Sequence, residues 1–295
     1  GENYKIWKTK KNREIQEPYG LLKRVHARIF SFLRRITPPP YLHSGVRNRT
    51  YITNAKKHLG LREVFKLDIH KFFPSVSELF INGFWQNTMQ CPKDVAYLLQ
   101  KICTFRVKNP PEGVQDLRKL PTGSCISQAL AFYAYRQMFD DLYSFAQSHD
   151  VAMTVYVDDI TFSAPKITKR FMYEVKKRIR ARGLRLKKEK IRFFSATQNK
   201  VITGVVLVGD TIRLKKSHHL KIYEAMKMYL SLPNSPRKRK LEQQIKGRLC
   251  AAGMVEEKFK KKHADFCESV ANEEQAAKKK VGGPINGSCA SAKRA

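Results

Sequence analysis

The stretch AMTVYVDDITFS, residues 152–163, decides how the rest of the chain is interpreted. Apolar residues lead into two adjacent acids, Asp158 and Asp159, and a second apolar run leads out. This alternation predicts a hairpin of two short strands with the acids at the turn. Adjacent carboxylates repel each other, so a fold that holds both favours a bound cation. The plainer alternative is a polar turn between strands, which is what an isolated Asp-Asp pair more often is.

A third carboxylate comes from the segment VFKLDI, residues 64–69, which predicts a buried strand with Asp68 near its end. Asp68 precedes Asp158 by 90 positions (158 − 68 = 90), so only the tertiary structure can bring the two together. Hard divalent cations take oxygen ligands, and three carboxylates can complete a two-metal site.

The charge of the chain is strongly one-sided. Lys and Arg number 58 against 25 Asp and Glu, for a formal net charge of +33, while 42% hydrophobic residues indicate a globular protein. This excess favours a polyanionic partner, most simply a nucleic acid. An anionic membrane surface is the competing explanation, but no apolar run approaches the length of a bilayer span, so we expect no membrane partner.

The six cysteines include no Cys-x-x-Cys pair and no cluster with zinc-finger spacing. The N-terminal segment is charged and lacks the apolar core of a secretory signal. We therefore expect reduced cysteines and a cytoplasmic protein.

A glycine- and serine-containing segment, LPTGS at residues 120–124, precedes an apolar-rich helix predicted over residues 129–145. A turn of this kind at a helix start offers free backbone N–H groups to a ligand. The alternative is an ordinary helix start capped by Ser or Thr.

Asp68, LPTGS and YVDD, residues 156–159, occur in an order and at separations that resemble the palm of a reverse transcriptase, and the resemblance runs from Lys8 to Leu249. Two further motifs resemble those of bacterial retron reverse transcriptases. NAKKH, residues 54–58, resembles their Asn-Ala-x-x-His motif, and ITG, residues 202–204, resembles their Val-Thr-Gly element with Ile in place of Val. Val157 is a second departure, because retron enzymes commonly have Ala there.

The resemblance implies an α+β, right-hand polymerase fold in which an antiparallel palm sheet bears the acidic triad. Residues 1–63 would form the N-terminal fingers region and residues 64–209 the palm with inserted fingers helices. Residues 210–270 would form a basic helical thumb, and residues 271–295 are predicted to be a flexible tail.

The activity implied is DNA synthesis on an RNA template with two Mg²⁺ ions, or Mn²⁺ in their place, about 3.5–4 Å apart. Asp68 and Asp158 would bridge the metals. Asp159 matches the second acid of the motif, usually the less direct ligand, and the backbone carbonyl of Ile69 would be an additional ligand.

Three positions match residues that surround the nucleotide. Phe73 matches the aromatic that packs under the sugar and excludes a 2′-hydroxyl, although packing in the core is the alternative for Phe73 or for its neighbour Phe72. Gly123 and Gln128 would line the nucleotide and template side.

Two basic positions match residues that contact the phosphates of the dNTP. Arg13 matches a fingertip arginine that pairs with the triphosphate, with Lys8, Lys10 and Lys11 as alternatives. Lys190 matches the lysine that approaches the leaving pyrophosphate, and the alternative is one more surface lysine.

The predicted primer and RNA contacts are Tyr156, Asn54, His58, Thr203, Gly204 and Arg248. Tyr156 would pack under the primer end. Asn54 and His58 share one face if their segment is helical. A buried hydrogen-bonding role or a contact with RNA is favoured for His58 over metal binding, because no partner ligand lies nearby in the sequence.

The retron resemblance also implies partners. These are a structured non-coding RNA of the msr-msd type, its branched DNA product primed from an RNA 2′-hydroxyl, dNTPs, and an effector protein on a separate chain in anti-phage defence. Two alternatives stay open: another bacterial defence-associated reverse transcriptase with a different RNA and priming, and a non-catalytic RNA-binding scaffold. The presence of all three acids favours an enzyme.

Overall fold

The computed structural model describes residues 3–10, 12–108, 110–112 and 116–281, with side chains as far as residue 275. The chain divides into two compact units after Thr211, within two residues of the boundary predicted after residue 209. The last helix ends at Val281, so the boundary predicted at residue 270 falls inside a helix, and residues 271–281 of the predicted tail are helical. Residues 282–295 lie outside the described part of the chain.

The first unit contains eight helices and ten strands within its described residues. The helices are α1 Gly20–Leu33, α2 Tyr51–Lys56, α3 Phe72–Ser75, α4 Glu78–Gly83, α5 Lys93–Cys103, α6 Ser127–Ala134, α7 Arg136–Gln147 and α8 Lys169–Ala181. The strands are β1 Tyr4–Lys8, β2 Glu14–Pro18, β3 Glu63–Asp68, β4 Phe105–Arg106, β5 Arg118–Lys119, β6 Ala152–Tyr156, β7 Asp159–Ala164, β8 Arg192–Phe194, β9 Lys200–Ile202 and β10 Val205–Val208. A π-helical turn, Phe84–Thr88, follows α4, and a 3₁₀ turn, Lys188–Lys190, precedes β8.

The central sheet is antiparallel, with strand order β6-β7-β3-β8. In its register Asp68, the last residue of β3, lies opposite Asp159, the first residue of β7. Asp159 also pairs with Tyr156 across the β6–β7 hairpin. The register therefore brings the acids of the two predicted strands to the same end of the sheet.

The two faces of this sheet differ because successive side chains on a strand alternate in direction. Phe65 and Phe162 stack at 6.2 Å on one face, and Phe171 of α8 packs edge-on against Phe162 at 5.5 Å. The same Phe171 stacks on Phe145 of α7 at 5.1 Å. Helices α7 and α8 thus cover the aromatic face, whereas Asp68 and its strand neighbours of like parity point to the other face.

Three helices make up most of the second unit in its described residues. Its helices are α9 Lys216–Ser231, α10 Pro236–Gly253 and α11 Lys258–Val281, and strand β11, Thr211–Leu214, spans the boundary between the units. Ser235 caps α10 by accepting a hydrogen bond from the backbone N–H of Lys238 at 3.2 Å. A small core holds the three helices together, including Tyr229, Leu249 and Phe266.

Within the described residues no helix combines the length and apolar character that crossing a membrane requires. In the same part of the chain five cysteines, at positions 91, 103, 125, 250 and 267, are free.

Candidate active site

The turn between β6 and β7 has an uncommon backbone conformation. Val157 has φ +59°, a left-handed conformation that a β-branched residue rarely adopts. Its N–H donates to Ser44 Oγ at 2.9 Å, and the carbonyl of Asp158 accepts from the N–H of Ile69 at 2.9 Å. These two hydrogen bonds fix the turn from both sides and hold Asp158 beside the end of β3.

Asp68 is the most buried of the three acids, with 3% of its surface exposed. The ammonium of Lys190 contacts Asp68 Oδ2. The backbone supports this contact, because the N–H of Lys187 donates to the carbonyl of Asp68 at 2.9 Å. Lys190, although half exposed, is therefore paired with a carboxylate of the acid cluster.

Asp159 has its own cationic partner. Lys66 Nζ lies 3.0 Å from Asp159 Oδ2. Lys66 was not predicted as a site residue, although it precedes Asp68 by two positions and so projects from the same face of β3. The two-residue spacing could therefore have indicated that Lys66 lies beside Asp68, but the strand register is needed to identify Asp159 as its partner.

Asp158 differs from Asp68 and Asp159 in the charges that surround it. Burial and then the charge of Asp68 raise the pKa of Asp158. Burial also raises the pKa of Asp159, and Lys66 opposes that shift. For Lys190, burial disfavours the ammonium, but the hydrogen bond and charge of Asp68 outweigh it and raise its pKa. Asp158 is thus the acid whose charge is least compensated, and a cation beside it would relieve the repulsion.

In the described part of the chain no three His, Cys, Asp or Glu side chains form a group that could hold a metal ion by themselves. Mg²⁺ sites usually combine one or two carboxylates with substrate phosphates and water, and seldom rely on a cage of protein ligands. The buried carboxylate donors and the uncompensated charge of Asp158 therefore fit a divalent ion that shares its ligands with a nucleotide.

Phe72 and Phe73 differ in how deeply their side chains are buried. Phe72 is buried at 4% exposure and packs against Phe139 at 6.3 Å. Phe73 is half-buried in α3, five residues beyond Asp68, the last residue of β3 (73 − 68 = 5). Core packing is therefore assigned to Phe72, and Phe73 is the residue of the pair with exposed surface.

The LPTGS segment is attached to the β1–β2 hairpin. Thr122 Oγ1 donates to Glu14 O at 2.9 Å, and the N–H of Gly123 donates to Gln16 O at 3.1 Å. A Cβ at Gly123 would lie only 2.8 Å from Gln16 O, so this position requires glycine for close approach.

The tip of the same hairpin carries Arg13, whose side chain is exposed and which directly precedes β2. Its N–H donates to Thr9 Oγ1 at 3.2 Å, which closes the turn. Lys8 and Lys10 are also exposed, and Lys11 lies outside the described residues. The two strands of this hairpin, Tyr4–Lys8 and Glu14–Pro18, pair in antiparallel register.

Gln128 and the turn at Val157 are linked through one segment that sequence reasoning missed. Ser44 Oγ accepts a hydrogen bond from the N–H of Val157. At the adjacent Gly45, whose φ is +68°, a Cβ would lie only 2.7 Å from Gln128 Nε2. Tyr156 is half-buried beside this turn. Ser44 and Gly45 give no motif in the sequence, because their importance comes from contacts with distant residues.

Asn54 and His58 are buried, at 1% and 0% exposure. Asn54 Nδ2 donates to Thr203 Oγ1 at 3.4 Å, and Thr203 Oγ1 donates to the carbonyl of Tyr51 at 2.8 Å. The NAKKH and ITG motifs thus contact each other. Thr203 and Gly204 form the β9–β10 turn, with φ +42° and +93°.

His58 bonds to two hydroxyls of the central sheet, with Nδ1 2.7 Å from Ser163 Oγ and Nε2 2.7 Å from Thr154 Oγ1. Burial lowers its pKa to about 3, so the ring is neutral. For Asn54 and His58 these contacts favour the buried hydrogen-bonding role over a direct contact with RNA.

Arg248 belongs to the second unit, on α10, and is exposed. Its Nη1 donates to the carbonyl of Lys221 on α9 at 3.0 Å.

Comparison with known proteins defines the class. Residues 8–222 match the reverse transcriptase (RNA-dependent DNA polymerase) family. Among solved structures, the chain is similar to a Candida albicans telomerase in complex with a fragment of telomeric RNA, with a TM-score of 0.53 and 11% identity over 90% of this chain and 54% of that one. An apo telomerase from Candida tropicalis gives a TM-score of 0.51 at 13% identity over 72% of this chain and 54% of that one. The fold is therefore of the right-hand polymerase type, as predicted.

The chain belongs to the reverse transcriptase family. Its curated relatives are bacterial retron reverse transcriptases, which confirms the predicted resemblance. Retron Se72 reverse transcriptase of Salmonella heidelberg (strain 579083-10) is 32% identical over 54% of this chain and 39% of that relative. Retron Ec86 reverse transcriptase of Escherichia coli is 22% identical over 72% of this chain and 64% of that relative. The chain thus spans between about two fifths and two thirds of the length of these relatives.

Proposed function

We propose that the chain acts as an RNA-directed DNA polymerase of the retron type. One observation carries the proposal: the register of the central sheet sets Asp68 opposite Asp159, Asp158 lies in the adjacent β6–β7 turn, and Lys190 contacts Asp68. Family membership over residues 8–222 supports the same activity.

Asp68 and Asp158, with the carbonyl of Ile69, would hold two Mg²⁺ ions, and Mn²⁺ could replace them. When bound, such ions stabilise the attacking and leaving oxygens of phosphoryl transfer. Asp159 is the less direct ligand in this scheme, since Lys66 already engages its Oδ2.

Lys190 supplies the positive charge that this chain adds at the reacting phosphates. Its contact with Asp68 keeps the ammonium charged at neutral pH and close to the acids. From there it neutralises the leaving pyrophosphate or donates a proton to it.

The remaining residues bind the nucleotide and the primer. Phe73 packs under the sugar and excludes a 2′-hydroxyl, a role compatible with its half-exposed ring. Arg13 pairs with the triphosphate through its planar guanidinium. Gly123 and Gln128 line the template side, and Tyr156 supports the primer end.

The RNA partner is a structured non-coding RNA of the msr-msd type, which the chain partly copies from an RNA 2′-hydroxyl into a branched DNA. The similarity to retron enzymes supports this, as do the NAKKH and ITG motifs. Residues 210–270, including Arg248, act as a basic thumb that holds this RNA by its phosphates. An effector protein in anti-phage defence would be a further partner.

Sequencing of nucleic acid that copurifies with the chain tests this proposal. We expect a short single-stranded DNA joined to RNA through a 2′–5′ branch. RNA without covalent DNA, together with efficient extension of an annealed primer, would replace the retron type by another reverse transcriptase. RNA without DNA and no extension would leave a non-catalytic RNA-binding scaffold.

A further inference from the structure

Helix α8 has one face committed to the core. Phe171, Val175 and Ile179 are buried, at 3%, 0% and 0% exposure. They lie on the aromatic face of the central sheet, where Phe171 meets Phe162. The inner face of α8 is thus on the side of the sheet opposite the carboxylates.

The outer face of α8 is basic. Four exposed residues at helical spacing form it, and we call them the α8 outer stripe: Arg170, Tyr173, Lys177 and Arg180. Tyr173 is 61% exposed. Ten residues of helix separate the ends of the stripe, which gives it a length of about 15 Å.

The protein itself makes little use of these charges. Within the described residues Arg170, Lys177 and Arg180 have no ion pair and no cation–π contact, whereas Arg178 lies over Phe145 at 4.3 Å and Arg182 pairs with Asp141 at 3.2 Å. The stripe is therefore free of the intramolecular contacts that use the neighbouring arginines.

Part of the stripe opposes helix stability. The first turn of α8 contains no acid and begins with Lys169 and Arg170, at the end of the helix where the dipole disfavours cations. Arg180 lies in the last turn, where the dipole favours a cation, but it repels Lys177 at i,i+3 spacing. Because these like charges have no acidic partner within the described residues, binding of a polyanion from outside the chain would relieve their repulsion.

We propose that the α8 outer stripe is a binding surface for the backbone of duplex RNA, separate from the catalytic face. Its three cations can follow successive phosphates, and the tyrosine hydroxyl can bond to phosphate or sugar oxygens. In this arrangement a base-paired part of the RNA binds α8 on the aromatic side of the central sheet. Another part of the RNA is copied at the carboxylates on the opposite side. The choice of RNA as the polyanion rests on the proposed function.

An anionic membrane surface fits the stripe less well. Interfacial helices insert a large apolar face into the lipid. The apolar face of α8 is buried in the core, so only Tyr173 remains for insertion.

The test compares two triple variants of the full chain. One is Arg170→Gln, Lys177→Gln and Arg180→Gln. The matched control is Arg24→Gln, Lys93→Gln and Lys108→Gln, which removes the same charge from exposed positions elsewhere in the first unit. Binding of short duplex RNA, single-stranded DNA and vesicles of anionic phospholipid is measured at several salt concentrations, with extension of an annealed primer as a separate assay.

We expect the stripe variant to bind duplex RNA about tenfold more weakly, with the slope of log K against log salt reduced by about two to three units, and the control variant to change little. Both variants should extend an annealed primer normally. Equal losses in the two variants, or a loss confined to vesicles, would overturn the stripe as an RNA surface. Failure of the unmodified chain to extend any primer would instead refute the proposed function.

A measurement on the unmodified chain avoids any effect of substitution on folding. Bound duplex RNA should protect Lys177 from an amine-reactive reagent, as read by mass spectrometry, while Lys93 stays reactive. Equal reactivity of Lys177 with and without RNA would contradict the proposal.

Discussion

Lys66 and Asp159 form a diagonal ion pair across the β3–β7 ladder, with Nζ 3.0 Å from Oδ2 and the two side chains only 17% and 20% exposed. A partly buried pair differs from a surface pair, because removing one partner leaves the other charge uncompensated. Lys66 therefore offsets part of the charge of Asp159 at the end of the sheet that carries the acids.

The first prediction concerns this pair. Lys66→Met should lower the free energy of unfolding, because it leaves the carboxylate of Asp159 without its cation, and the same change should cost about 1–2 kcal/mol less in the Asp159→Asn background. Both tryptophans of the chain, Trp7 and Trp85, lie in the first unit, so tryptophan fluorescence during urea unfolding follows that unit. Strictly additive losses would show that the two side chains do not interact.

A pH effect on stability is expected from His58. Its folded pKa of about 3 lies below the ordinary value of 6.5, so the unfolded chain binds the proton more readily. The stabilisation is complete above about pH 6.5 and is lost as pH falls towards 3, by about 1.4 kcal/mol per pH unit.

Urea unfolding at several pH values between 7 and 5 measures this effect. Between pH 6.5 and 5, the free energy of unfolding should fall by about 2 kcal/mol less in His58→Gln than in the unmodified chain. The control His149→Gln makes the same change at an exposed histidine of the same unit. A slope that His58→Gln does not alter would refute the assignment.

Gly123 gives a prediction about the link between the LPTGS segment and the β1–β2 hairpin. Gly123→Ala brings a Cβ to 2.8 Å from Gln16 O, and we expect it to cost about 1–3 kcal/mol of stability. If Arg13 contacts the triphosphate, KM for dNTP should rise as well. Gly83→Ala is the control, because its Cβ meets Asn87 at an ordinary 3.7 Å. Equal behaviour of the two variants would argue against the close approach.

The turn conformation of Val157 predicts an unusual order of variants. At φ +59°, Val157→Gly should be more stable than Val157→Ala by about 1 kcal/mol. Glycine is less stable than alanine at an ordinary strand position, so the opposite order in urea unfolding would indicate that this turn is not left-handed in solution.

Local pattern predicted the elements that carry the acids. Alternation in residues 152–163 gave the β6–β7 hairpin, and the apolar run at residues 64–69 gave β3. The helix predicted over residues 129–145 is two helices, interrupted at Tyr135. Tyr135 is 2% exposed and packs against Phe80 at 4.6 Å, and a contact of this kind is invisible to a periodicity argument.

Contacts between distant residues were the part that the sequence could not supply. The bond between Asn54 and Thr203 joins positions 149 residues apart. The pairing of Lys66 with Asp159 depends on strand register, and the placement of Ser44 at Val157 depends on a loop packed beside β6. Motif resemblance identified the acids and Lys190 but not these supporting residues.

Single-turnover incorporation of one dNTP on an RNA template, with Mg²⁺ present, tests the central claim most directly. Asp158→Asn should lower the rate at least about a hundredfold, the scale of losing a charge-stabilising group at a reacting phosphate. The control is the same change at Asp150, an exposed turn residue with φ +54° that asparagine tolerates. Asp150→Asn should retain full activity, whereas Asp158→Asn should lose incorporation and retain RNA binding. Equal incorporation by the two variants would contradict a catalytic role for Asp158.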